Sequence, residues 1–354
     1  MDRTGVTKQA VRWGVGLLLS GLFLWAVLRG ADLGRVGATI AGAQRSFLLP
    51  VLAVSVASII MRAWRWMLCF DRREPLPLPD SLAAYSLGSL SSYVIPARLG
   101  DLVRVYAVGQ TAPISRMKAL GTLVIERLSD LFAVVILVSL LLPLFDLPRW
   151  IVSVDILAAV ACVVALVVVY LLAHSSRHLR LPGWASRYGL VRRMSGLVAR
   201  LLDGFAAIKS TWRALSILGA SFAVWLLTIA FYVAAFHSLA LPLGWREGAL
   251  LTGVLALVAI VPAGPGYVGS FELAAVALLG LFQIDRSVTI GYVEFTRIVS
   301  FIALALLTLV GAGTVRMRAW LRPRSGAGAI DPERLPEGSA PRPFESPQPG
   351  EANL

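Results

Sequence analysis

Six long apolar stretches, at 13–28, 47–68, 119–145, 151–173, 214–236 and 287–312, restrict this chain more than any other feature. At 1.5 Å per residue, a helix of about 20 such residues matches the roughly 30 Å of bilayer hydrocarbon. Hydrophobic residues make up 57 % of the 354 and charged residues only 15 %, against about 25 % charge in a soluble domain. Lipid, not water, is the expected solvent. The net charge of +13 does not point to nucleic acid, because the arginines fall between apolar stretches, as they do in cytoplasmic loops. Cys69 and Cys162 stand in apolar context, and His174, His178 and His237 lack metal-ligand spacing, so neither metal nor cofactor is expected.

Between the long stretches lie two segments of another kind. Residues 81–95 are too short and too polar to span, with Tyr85, Ser86, Gly88, Ser89, Ser91, Ser92 and Tyr93, and run into Pro96-Ala97-Arg98-Leu99-Gly100-Asp101. Residues 248–261 run into Pro262-Ala263-Gly264-Pro265-Gly266. Each reads as a half-helix, a break and a returning half-helix. A broken backbone at membrane depth needs protein or a watery cavity to satisfy it. The offsets between these features agree. Pro96 and Pro262 stand 166 apart, Glu126 and Glu294 168 apart, and the stretches from Phe47 and Ala214 167 apart. The spacing predicts an all-α polytopic membrane protein of two repeats, at 13–145 and 151–312, each with three spans and a broken re-entrant hairpin.

Three crossings per repeat is odd, so the second repeat enters the membrane inverted. With the N-terminus (1–12) inside, the basic segments at 62–73, 98–118, 174–213 and 316–324 all fall on the cytoplasmic side. Only the 29–46 loop is mildly out of line. Both termini are expected in the cytoplasm of a bacterium, with 323–354 a disordered proline-rich tail. The arginines and tryptophans of Arg62-Ala63-Trp64-Arg65-Trp66 read as interface anchors at headgroup level.

Ionisable residues inside apolar spans are costly and are candidates for function. Glu126 and Asp130 are four apart on one helix face with Arg127 beside them, and Glu294 and Arg297 are three apart. These charges either lock the fold by pairing across the halves or line a polar path. Half-helix N-termini suit anions, and Arg98 and Arg104 flank the first break. A phosphate is the expected ligand, held by Arg98 and Arg297 while Asp101 and Glu272 tune the site. The glycine-rich break is no nucleotide loop, since no Gly-Lys-Ser/Thr follows it.

The segments Arg62-x-x-Arg65-Trp66, Pro96-Ala97-Arg98-x-Gly100-Asp101-x-x-Arg104 and Glu126-Arg127-x-x-Asp130 together resemble the lysylphosphatidylglycerol synthase transmembrane-domain family. So do Pro262-x-Gly264-x-Gly266 with Glu272, and Arg297 in the last span. The resemblance covers about residues 10–320 and implies a lipid-flipping module. In that family a separate soluble domain attaches the amino acid. The short tail here has no room for one, so synthase activity is not expected. The expected function is transport of an anionic phospho- or polyprenyl-type lipid between leaflets of the inner membrane, without catalysis. Lipid- or glycan-synthesis enzymes are possible partners. The alternatives are a non-catalytic scaffold for such enzymes, an integral-membrane lipid transferase and a small-anion transporter.

Overall fold

The computed structural model describes residues 29–71, 74–95, 99–112, 114–144, 149–175, 210–259 and 265–321, with Trp25, Leu197 and 203–205. The expected span at 13–28, most of the basic loop and the tail lie outside the described residues. So do Pro96, Arg98, Pro262 and Gly264.

All described elements are helical. They are α1 (Leu33–Ala41), α2 (Arg45–Leu68), α3 (Leu78–Ser91), α4 (Gly100–Thr111), α5 (Arg116–Leu141), α6 (Arg149–Ser175), α7 (Thr211–Ser238), α8 (Trp245–Val258), α9 (Ser270–Leu279) and α10 (Arg286–Leu321). By length and composition, α2, α7, the run Pro265–Phe282 and Arg286–Val315 of α10 can each cross a membrane. On α6, Leu157, Val160, Val164, Val167 and Leu171 are all more than half exposed. An apolar surface of this kind is at home against lipid and not against water.

One order of elements occurs twice: long helix, 14-residue helix, break, short helix, long helix. Arg45 and Thr211, Leu78 and Trp245, Gly100 and Ser270, and Arg116 and Arg286 stand 166, 167, 170 and 170 residues apart. Each set supplies most of one core, with Ile217 of α7 joining the first and Val51 of α2 the second. Trp66, Phe70, Leu76, Val105, Val108 and Leu123 fill the first. Phe236, Leu250, Leu251, Leu279, Tyr292 and Phe295 fill the second, with Phe236 stacked on Tyr292 at 4.7 Å. Packing of α2 along α7 joins the two.

The 14-residue α3 and α8 are each about 21 Å long, short of the hydrocarbon thickness. They return at close quarters. A Cβ on Gly88 would stand 2.7 Å from both the Gly100 carbonyl oxygen and the Arg104 Cβ, so α3 and α4 approach backbone to backbone. In the second break Gly266 and Gly269 have φ of +62° and +87°, a region that costs any side chain.

The 29–46 segment is not a plain loop. Asp32 caps α1 by accepting from the N–H groups of Gly34 (2.8 Å) and Arg35 (3.2 Å). Its own N–H donates to Ser287 Oγ at the start of α10 (3.0 Å).

Candidate functional site

The two breaks meet. The Gly266 N–H donates to the Ser92 carbonyl at 3.0 Å, and Tyr93 packs edge-on against Phe301 of α10. Around this junction lies a polar cavity of about 340 Å³, lined among others by Ser89, Tyr93, Asp101, Gly266, Thr296 and Arg297. A second, mostly apolar cavity of about 470 Å³ runs between α5, α7 and α8 past Leu128, Leu131, Val134, Ala256 and Leu257. Arg62, Arg127, Tyr232, Leu255 and Phe271 line both, so the two are neighbours along one wall. Both volumes fall within the range usual for small-ligand sites, about 300–1,000 Å³.

Beside the cavities, α5 carries the larger charge network. Arg65 of α2, fully buried, reaches Glu126 at 3.0 Å and forks onto both oxygens of Asp130. Arg104 of α4 closes on Glu126 at 2.6 Å, its guanidinium 3.5 Å from the Trp66 ring centre and 4.6 Å from that of Tyr85. Arg127, half-exposed to the cavities, bonds Asp101 at 2.6 Å and lies 3.8 Å from Asp130. Three arginines thus face three carboxylates, a balance that lets these charges be buried at all.

The second set of helices holds a smaller version with the signs exchanged. Arg104 and Glu272 are 168 residues apart, as are Glu126 and Glu294. Each half-helix after a break is tied to the next long helix by a buried ion pair. In the first repeat the half-helix supplies the arginine. In the second it supplies Glu272, 2.5 Å from Arg297, which also pairs with Glu294. Here two carboxylates share one arginine.

These pairs settle several sequence expectations. Glu126 and Asp130 do share one face, and Glu294 does pair with Arg297. The α5 network and the Arg297 group pair within their own halves, while Arg35–Asp285 and Arg213–Asp71, both at 3.5 Å, pair across them. The α5 network itself crosses through neutral side chains: Ser221 Oγ accepts from Arg65 (3.0 Å), and Trp225 Nε1 donates to Asp130 (3.1 Å). Arg65 and Trp66 are not headgroup anchors, because both are fully buried, with Trp66 Nε1 donating to Thr122 (3.1 Å). The second half-helix N-terminus is no open anion site either. The Glu272 carboxylate accepts from the Gly269 N–H (2.7 Å) and so occupies that positive end itself. At α4 no side chain caps the N-terminus, and Asp101 in its first turn turns to Arg127. Gly100 and Gly266 stand at the breaks as expected.

No group of three or more His, Cys, Asp or Glu able to hold a metal occurs among the described residues. Cys69 and Cys162 are buried free thiols. Tyr232, Thr228 and Trp225 are site-lining residues that sequence reasoning passed over. Their only signal was polarity at intervals of three to four within an apolar helix.

No curated protein matches this chain. Over residues 13–308, most of its length, the sequence matches the family model of the lysylphosphatidylglycerol synthase TM region, and the chain belongs to that family of lipid-related, multi-pass membrane proteins.

Proposed function

We propose that the protein is a lipid transporter of the bacterial inner membrane, carrying an anionic phospho- or polyprenyl-type lipid between leaflets by alternating access. It is not an enzyme. Its two repeats are inverted, both termini are cytoplasmic, and α3–α4 and α8–α9 are re-entrant hairpins. One observation carries most of the weight: the two breaks touch at a polar cavity that shares a wall with an apolar one. Broken helices meeting at mid-depth between repeats are a recurring basis of alternating access. In this mechanism the headgroup enters the polar cavity beside Arg127 and Arg297, with Arg98 at the first break, while the acyl chains stay in the apolar cavity and the bilayer. The carboxylates Asp101, Glu272 and Glu294 exchange partners as the hairpins move, which a paired but cavity-facing arginine permits.

The test is reconstitution of the full chain into liposomes carrying fluorescent phospholipids in both leaflets, followed by dithionite bleaching. Bleaching beyond the outer-leaflet half for wild type, lost in Arg297→Ala and Arg98→Ala, is the expected result. Bleaching held at half for every phospholipid and polyprenyl phosphate offered would replace transport with the scaffold role.

A further inference from the structure

Every arginine of the charge networks beside the cavities has a carboxylate partner, and one further cavity-lining arginine has none among the described residues. Arg62 lies on α2 one helical turn before Arg65–Trp66, half-buried, and lines both cavities. It makes no ion pair with any described residue. Its guanidinium donates to Thr228 Oγ1 at 2.8 Å and sits 5.5 Å from the ring centre of Trp225. Those contacts fix its direction without neutralising it. A guanidinium has five N–H donors, and the bond to Thr228 leaves most of them for another acceptor.

The surroundings define what such an acceptor must look like. The polar cavity is on one side of Arg62, and the apolar wall of Leu128, Leu131, Val134 and Leu257 is on the other. Tyr232 lines both cavities and Trp225 the apolar one, amphipathic rings that tolerate both surfaces. A soluble anion would use only the first side, and a hydrocarbon only the second. An amphiphile whose anionic group joins a polar head to a chain uses both. A fork of N–H groups matches the paired oxygens of a phosphodiester.

We propose that Arg62 is the anchor for the phosphodiester of a lipid, with the head in the polar cavity and a chain along the apolar one. Arg62, and not the carboxylate-paired Arg127 or Arg297, then supplies most of the attraction for the anion. This rests on the reading of the cavities as a lipid path, but it concerns binding and so is tested apart from transport.

The probes are short-chain phosphatidylglycerol, the matching diacylglycerol and glycerol phosphate, titrated calorimetrically into the full chain in detergent. Wild type should bind phosphatidylglycerol, and Arg62→Gln should bind it roughly 10- to 100-fold more weakly, the worth of a charge-assisted contact. Arg62→Lys should recover much of the loss. Diacylglycerol affinity should be the same in all three, which a merely structural role for Arg62 would not predict. Thermal unfolding of each variant in the same detergent identifies a misfolded one. In that event Arg62→Met, an unbranched apolar chain that keeps the packing without the charge, takes its place, with the same loss of roughly 10- to 100-fold expected.

Unchanged phosphatidylglycerol affinity in folded Arg62→Gln overturns the proposal. Glycerol phosphate binding as tightly as phosphatidylglycerol leaves an anion site but overturns the lipid. Arg62-dependent binding without bleaching in liposomes would keep the anchor and remove the transporter. Bleaching indifferent to Arg62 would do the reverse.

Discussion

Glu126 is the side chain on which the buried network turns, and its removal has a calculable cost. It accepts from Arg65 Nη2 at 3.0 Å and from Arg104 Nη1 and Nη2 at 3.3 and 2.6 Å. Glu126→Leu keeps much of the volume and removes the charge and both acceptor oxygens, leaving three arginines with only Asp101 and Asp130. Arg65 keeps its fork on Asp130. Arg104, at 2 % side-chain exposure, keeps only the faces of Trp66 and Tyr85, worth about 2 kcal/mol when desolvated. Stranding a buried charge in this way costs about 3–5 kcal/mol. If each of the three lost bonds is worth only the ~0.6 kcal/mol typical within a bilayer, the floor is about 2 kcal/mol. The double variant Arg104→Met/Glu126→Leu removes one cation and one anion together and should lie within about 1.5 kcal/mol of wild type. Equilibrium unfolding of the full chain in mixed micelles with increasing dodecyl sulfate measures all four members of the cycle. A Glu126→Leu cost below about 1 kcal/mol, or a double variant as costly as the two singles added, would refute the reasoning.

Two smaller perturbations probe the scaffold around the site. Gly88→Ala sets a methyl group against the Gly100 carbonyl, a backbone atom that cannot turn aside; a loss of about 1–3 kcal/mol in the same unfolding assay is expected, despite the better helix propensity of alanine. Asp32→Ala removes the acceptor for the Gly34 and Arg35 amides; hydrogen exchange over Leu33–Ala41 should quicken by the equivalent of about 1 kcal/mol, with α2 unchanged.

How the charges pair shows where sequence reasoning stops. That Glu294 and Arg297 pair follows from a spacing of three on one helix, a local matter. That Arg104 meets Glu126 depends on how α4 rotates against α5, and no local pattern carries that angle. Arg65 and Trp66 illustrate the same limit. Basic and aromatic residues near a helix end ordinarily sit at headgroups, yet here the partners Asp130 and Thr122 draw them inward. Helix α1 was a different kind of omission. Its signal, Asp32 ahead of Leu33-Gly34-Arg35, is local, but nine residues bounded by arginines are easily taken for loop.

What the sequence by itself determined was the helical class, the lipid solvent, the twofold occurrence of one element order and the position of each break. All of these follow from hydropathy, helix length and the conformational demands of glycine and proline, which act over a few residues. The tertiary structure alone decided that the two breaks touch and that each repeat closes its half-helix with an ion pair of opposite sense. It also decided that Glu272 blocks its own helix end and that Arg62 has no carboxylate partner among the described residues. Those outcomes depend on the relative rotation and depth of helices whose contacts lie up to 174 residues apart, as for Ser92 and Gly266. Side-chain direction around a helix axis is set by packing, and packing is a property of the assembled bundle.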